Sequence, residues 1–177
     1  MKATSRTPKI KDASSRRWPL VLLGAFALLQ VTWAEATEKP RNAFANPSFE
    51  LGREGWQLDK AGKTECRFSV DAKEAVDGQN SALITVGLVD NWGMQFGQHF
   101  PAGEKGRTYT MAVFAKSAEE PLEVGLYIER NAAPWDKAAG EKFKLSTGWQ
   151  ELHLTFKVGD DFPQGWFAYL GCVQPKV

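Results

Sequence analysis

Leu122–Arg130 reads LEVGLYIER, and its side chains alternate without a break. Leu122, Val124, Leu126 and Ile128 are apolar, and Glu123, Gly125, Tyr127 and Glu129 stand between them. Such a period of two belongs to an extended strand with one face on a core and the other toward water. The same period recurs to either side. Thr108–Lys116 (TYTMAVFAK) puts Tyr109, Met111, Val113 and Ala115 on one face. Gln150–Val158 turns Leu152, Leu154, Phe156 and Val158 inward, and Glu151, His153, Thr155 and Lys157 outward. Further strand candidates are Cys66–Val70, Ser81–Val86, Gly93–Phe100, Lys142–Leu145 and Gly165–Gly171. Turn residues separate them at Asp77-Gly78, Pro101-Ala102-Gly103, Thr147-Gly148 and Asp160 to Pro163. No apolar run keeps a 3.6-residue period long enough for a core helix, and Ala132–Gly140 has room for one turn at most. The pattern predicts an all-β fold, a jelly-roll β-sandwich of two antiparallel sheets.

The N-terminus has a different character. Residues 1–19 are basic and polar, Leu20–Ala34 is apolar apart from Gly24, Gln30 and Thr32, and Ala34-Glu35-Ala36 offers small residues at the two positions a signal peptidase reads. This order describes a secretory signal peptide. An apolar run of about 15 residues is short of the ~20 that span a bilayer. The expectation is therefore a signal peptide over residues 1–36, removed on export, and one domain over residues 37–177. That domain is expected to be secreted, extracellular or periplasmic, and free of the membrane; an uncleaved anchor is the alternative.

Residues 1–36 hold six of the 22 Lys and Arg but two of the 21 Asp and Glu, which leaves 16 basic and 19 acidic residues beyond them. A slightly acidic domain has no electrostatic footprint for nucleic acid. The chain's two cysteines, Cys66 and Cys172, fit a disulfide in an exported domain and fit buried thiols equally well. With two histidines, His99 and His153, and no C-x-x-C, no zinc site of usual spacing can be assembled. The G-x-S-x-G elbow of a triad hydrolase and a phosphate-binding loop are both absent.

A longer set of fragments carries more information. Asn46-Pro47-Ser48-Phe49-Glu50, Gly52 and Gly55-Trp56 are followed by Asp77-Gly78, Trp92 with Gln95, Gly106-Arg107-Thr108-Tyr109-Thr110, Pro134-Trp135, and Leu145-Ser146-Thr147-Gly148-Trp149-Gln150. In this order, over about residues 42–172, they resemble the carbohydrate-binding modules of families four and nine, found on cellulases and xylanases. The resemblance implies a galactose-binding-like jelly roll that holds a polysaccharide or oligosaccharide of the β-glucan or xylan class. It also implies a structural calcium near Glu50, with Asp77 as a second candidate. Such modules close with a strand carrying an Asp-Asp pair, and this sequence stops at Val177, where that strand would begin. The last strand is then missing from a truncated domain, or the sheet is closed in another way.

A neutral sugar presents hydroxyls and flat C–H faces, so its site needs exposed rings and side chains that both donate and accept. Trp92, in Asp90-Asn91-Trp92-Gly93, is a candidate cleft lip, and Gln95 follows on a strand face shared with Gly97, which would let a ligand approach the sheet. Tyr127 and Glu129 share the outer face of their strand, and Trp135 stands in a polar loop. These five are the candidate ligand-binding residues. Trp56 and Trp149 read as structural, and the faces of Trp166 and Phe167 are not assigned by pattern. Three functions remain: non-catalytic polysaccharide binding, a glycoside hydrolase or a part of one with Glu123 and Glu129 as carboxylates, and a cell-envelope adhesion domain without sugar binding.

Overall fold

The computed structural model describes residues 42–159 and 164–172, and residues 18–22 and 27–28 as backbone. The described residues form two antiparallel sheets and no helix. One sheet has five strands: β3 (Gln57–Lys60), β6 (Met94–Phe100), β11 (Trp166–Cys172), β8 (Leu122–Arg130) and β9 (Lys137–Leu145), side by side in that order. The other has the order β10 (Gln150–Lys157), β7 (Thr108–Ser117), β1 (Trp18–Leu22), β5 (Ser81–Val86) and β4 (Cys66–Asp71). A short β2 (Ala27–Leu28) also pairs with β7. The expected β-sandwich is the fold observed.

The alternation read in the sequence is realised residue by residue. Leu122, Val124, Leu126 and Ile128 of β8 are buried, as are Tyr109, Met111, Val113 and Ala115 of β7 and Leu152, Leu154 and Phe156 of β10. Between the sheets Phe96 is fully buried, with Trp56 stacked on it at 5.0 Å and Phe68 at 5.8 Å. At the opposite end Trp166 meets Phe156 at 5.0 Å, Phe100 at 5.2 Å and Tyr109 at 5.3 Å. Trp166 therefore belongs to the core, and Phe167 to the outer face.

The opening fragment is a structural staple. Asn46 takes a left-handed backbone (φ 45°), and its Nδ2 donates to the carbonyls of Gly52 at 3.0 Å and Glu54 at 3.2 Å. Its own carbonyl accepts the Trp56 indole N–H at 2.9 Å. Phe49 and Trp56 are thereby folded onto Phe96 as a lid on the core, and both are buried.

Two elements differ from the sequence reading. Lys137–Leu145 is one long strand, where Lys142–Leu145 alone was expected and Ala132–Gly140 was given room for one helical turn at most. It is an edge strand with mostly exposed side chains, so it carries no apolar alternation to read. Gln57–Lys60 was not expected at all; four residues are too few to show a period.

The expected signal peptide lies outside the described residues, apart from β1 and β2. β1 sits between β5 and β7 and pairs with both, from Trp18↔Val86 to Leu22↔Ala82 and from Leu20↔Ser117 to Leu22↔Ala115. Taking it away bares a row of backbone donors and acceptors on each neighbour. A chain starting at residue 37 should melt at a lower temperature than the full chain, with faster amide exchange along β5 and β7; equal melting and equal protection would contradict this register.

Candidate functional site

The outer face of the five-stranded sheet holds a groove of about 1050 Å³. Period two builds it. With Met94, Phe96 and Phe100 of β6 in the core, Gln95 and His99 point out; with Trp166, Ala168 and Leu170 of β11 inward, Phe167 and Tyr169 point out. The register places His99 opposite Phe167, and Tyr169 opposite Tyr127.

These outward residues form a row of rings across three strands. His99 stacks on Phe167 at 4.4 Å, Phe167 on Tyr169 at 5.1 Å, and Tyr169 meets Tyr127 at 5.3 Å. Tyr127 lies flat because the sheet beneath it has no side chains. A Cβ at Gly125 would come within 2.4 Å of the ring, one at Gly140 within 2.5 Å, and one at Gly171 within 3.3 Å. Above the ring, Lys137 Nζ sits 4.1 Å from its centroid, a cation–π contact.

Polar groups fringe the rings. The Tyr169 hydroxyl donates to Glu129 Oε2 at 3.0 Å. Burial, and then the Glu129 carboxylate, push that phenol well above its usual range, so it remains a neutral donor. His99 Nδ1 lies 2.6 Å from Asn131 Oδ1, and Nε2 lies 3.1 Å from Gln57 Oε1. Both amides are held elsewhere: Asn131 Nδ2 donates to Gln164 O at 3.1 Å, and Gln57 Nε2 to Asp59 Oδ2 at 2.7 Å.

Two exposed tryptophans mark the ends. Trp92 is 48% exposed, in a turn between Asn91 (φ 56°) and Gly93 (φ 77°). That turn is tied down by Thr64, whose hydroxyl accepts from Asp90 N at 2.9 Å and donates to Asp90 O at 3.0 Å. Trp135 is 58% exposed, in the loop after β8, where Arg130 Nε is 3.0 Å from Asp136 Oδ1. One tryptophan adjoins the Met94 end of β6 and the other the Arg130 end of β8, opposite ends of strands about 20 Å long. The groove thus combines flat rings, fixed amides and two wet indoles, the surface that a sugar chain's hydroxyls and C–H faces require.

A family model described as "Carbohydrate binding domain" (CBM_4_9) matches residues 41–170. The chain belongs to this carbohydrate-binding family. A solved structure described as "CBM4 structure and function" is similar to it at 23% identity, covering 72% of this chain and 81% of that one, with a TM-score of 0.55; it shows the jelly-roll fold. A bacteriophage CBA120 tailspike protein 4 enzymatically active domain is similar at 15% identity over 72% of this chain and 19% of that one, with a TM-score of 0.49. Among curated proteins none matches.

In this carbohydrate-binding domain all five residues singled out from the sequence, Trp92, Gln95, Tyr127, Glu129 and Trp135, line the same groove. Gly97 does not play the part expected of it. A Cβ there would meet Ala168 O at 2.0 Å and the Tyr169 Cβ at 2.6 Å, so its bareness admits the neighbouring strand, not a ligand. Sequence reasoning missed His99, Phe167, Tyr169, Lys137 and Asn131. His99 was legible, four residues beyond Gln95 on the same face. Trp56 is structural as expected; Trp149 lies under Lys116, whose Nζ is 5.1 Å from its ring.

The resemblance's calcium does not fit the residues present. Glu50 Oε1 accepts the backbone N–H of Gln79 at 2.8 Å and of Asn80 at 3.0 Å, and Oε2 accepts Asn80 Nδ2 at 3.2 Å. Donors face this carboxylate where a cation would need further oxygens. Asp77 is exposed at the same turn, and among the described residues no three His, Cys, Asp or Glu side chains converge. Glu50 holds the turn that leads into β5. Glu50→Ala should therefore destabilise the domain by about 1–2 kcal/mol in denaturant unfolding, while calcium and a chelator leave the wild-type melting temperature unchanged. A melting temperature raised by calcium would contradict this assignment.

Proposed function

We propose that the groove binds along a polysaccharide chain of the β-glucan or xylan class and does not cleave it. The observation that carries this reading is the row His99–Phe167–Tyr169–Tyr127, set between polar groups and bounded by Trp92 and Trp135. A groove flanked by an exposed indole at each end suits an internal stretch of chain. Shallow ring stacking and solvent-sharing hydrogen bonds give modest affinity, a Kd of roughly 10 µM to 1 mM, or about −4 to −7 kcal/mol.

Carboxylate spacing argues against hydrolysis in this groove. A glycosidase pair stands about 5–9.5 Å apart. Glu123 and Glu129 are six residues apart on one strand, about 20 Å, and Glu123 is paired with Lys142 at 3.0 Å. The acids lining the groove are Asp59 and Glu129. Asp59 is level with Gln95, Gly171 and Gly125, three strands across and four residues along from Glu129. Their backbones are therefore roughly 19 Å apart. Catalysis, on this reading, belongs to a partner domain. The reading also places the domain outside the cell or in the periplasm, after export directed by residues 1–36. The described strands of that segment, β1 and β2, pair in the other sheet, so their removal leaves the described strands of the groove's sheet in place.

Affinity electrophoresis and calorimetry with soluble β-glucan and xylan test the proposal. The wild type should be retarded by one of them. Trp135→Ala and Trp92→Ala should each weaken binding about tenfold, or 1.4 kcal/mol, and no reducing sugar should be released. Unchanged affinity in both variants, or hydrolysis lost in Glu129→Gln, would refute it. Absence of binding to any glycan by the folded protein favours the adhesion reading.

A further inference from the structure

We propose that Cys66 and Cys172 form a disulfide site, at which oxidation joins the two sheets by a Sγ–Sγ bond. Cys66 opens β4 in one sheet, and Cys172 ends β11 in the other. The packing between the sheets fixes their relation. Phe68 of β4 stacks on Phe96 of β6 across the core. Two residues back along each strand are Cys66 and Met94, and Met94 is the cross-strand partner of Cys172. Side chains two apart on a strand share a face, so Cys66 points into the core at the level of Cys172. Both side chains pack in the same hydrophobic cluster.

The sheets are also tied together at this end. Residues 61–65 alone connect β3 to β4, held by Ala61 N to Gly93 O at 2.9 Å, Glu65 N to Leu88 O at 2.8 Å and Gly87 N to Glu65 O at 2.7 Å. A Cβ at Gly93 would come within 2.9 Å of Cys172 O, so this turn packs directly on the end of β11. An inter-sheet bridge through a core is an established way to staple a sandwich. This one closes a loop of about a hundred residues, the long-loop case in which a cross-link most restricts the unfolded chain.

The two thiols have distinct parts in the reaction. Cys66 is half-buried at a surface depression shared with Lys60 and Arg67. Burial raises its thiol, and Lys60 offsets that in part. Cys172 is buried, and burial, with the charge of Cys66 adding to it, pushes its thiol up to about 11. Cys66 is therefore the first nucleophile. Its thiolate attacks a low-molecular-weight disulfide, breaks that S–S bond and expels one small thiolate. Cys172 gives its proton to solvent, attacks the Cys66 sulfur of the mixed disulfide and expels the second. Two protein thiols are oxidised to one disulfide as one small disulfide is reduced to two thiols. Nothing in this depends on what the groove binds.

The full chain, equilibrated with oxidised and reduced glutathione and then denatured, should show no titratable thiol and a monomer mass lower by two hydrogens. Dithiothreitol should restore both thiols and lower the melting temperature. The C66A/C172A double variant should melt alike with and without reductant. Two titratable thiols per chain after equilibration with oxidised glutathione, a persistent glutathione adduct or a covalent dimer would overturn the proposal.

Discussion

Every outward residue on the strands of the groove is placed by an inward neighbour. Met94, Phe96 and Phe100 are held by the core, and this alone sets Gln95 and His99 toward solvent. The same relation governs β11 and β8. A slip of one residue would exchange the two sets, putting a histidine and a glutamine between the sheets and phenylalanines in water. The cost of burying unpaired polar groups and exposing rings forbids it. Packing of the sandwich and presentation of the site are therefore one constraint.

Within that constraint, small residues and strapped turns shape the surface. Gly125, Gly140 and Gly171 come from three neighbouring strands and leave the bed on which Tyr127 lies flat. Asn131 and Gln57 fix His99 from both sides, and Thr64 fixes the turn that carries Trp92. Holding such groups still before a ligand arrives reduces the ordering cost of binding. The opening fragment acts one level lower. Asn46 and Glu50 close the loops over the core, which explains why its residues contribute hydrogen bonds to backbone and none to the groove.

What could be read in the sequence followed the contrast between the two faces. β8 has an apolar inner face and a polar outer one, so the outward placing of Tyr127 and Glu129 is legible in the sequence. β11, WFAYLGC, is apolar on both faces because rings cover its outer side too, and there the period disappears. That is why Phe167 and Tyr169, the centre of the row, were not found. β9 failed for another reason: at the sheet edge Glu141 interrupts its inward row of Ala139, Phe143 and Leu145, and its remaining side chains are mostly exposed. Glu50 shows a further limit: one carboxylate serves a cation or a row of N–H donors equally well, and only the neighbouring backbone decides which.

The central claim is that the outer face of the five-stranded sheet is where a glycan chain lies. Backbone and indole amide shifts, followed by NMR as β-glucan or xylan oligosaccharides are added, test it most directly. Perturbations are expected along β6, β8 and β11 and at the indoles of Trp92 and Trp135, with β4, β5 and β10 unmoved. Perturbations confined to the six-stranded sheet, or to the loops at one edge, would contradict it.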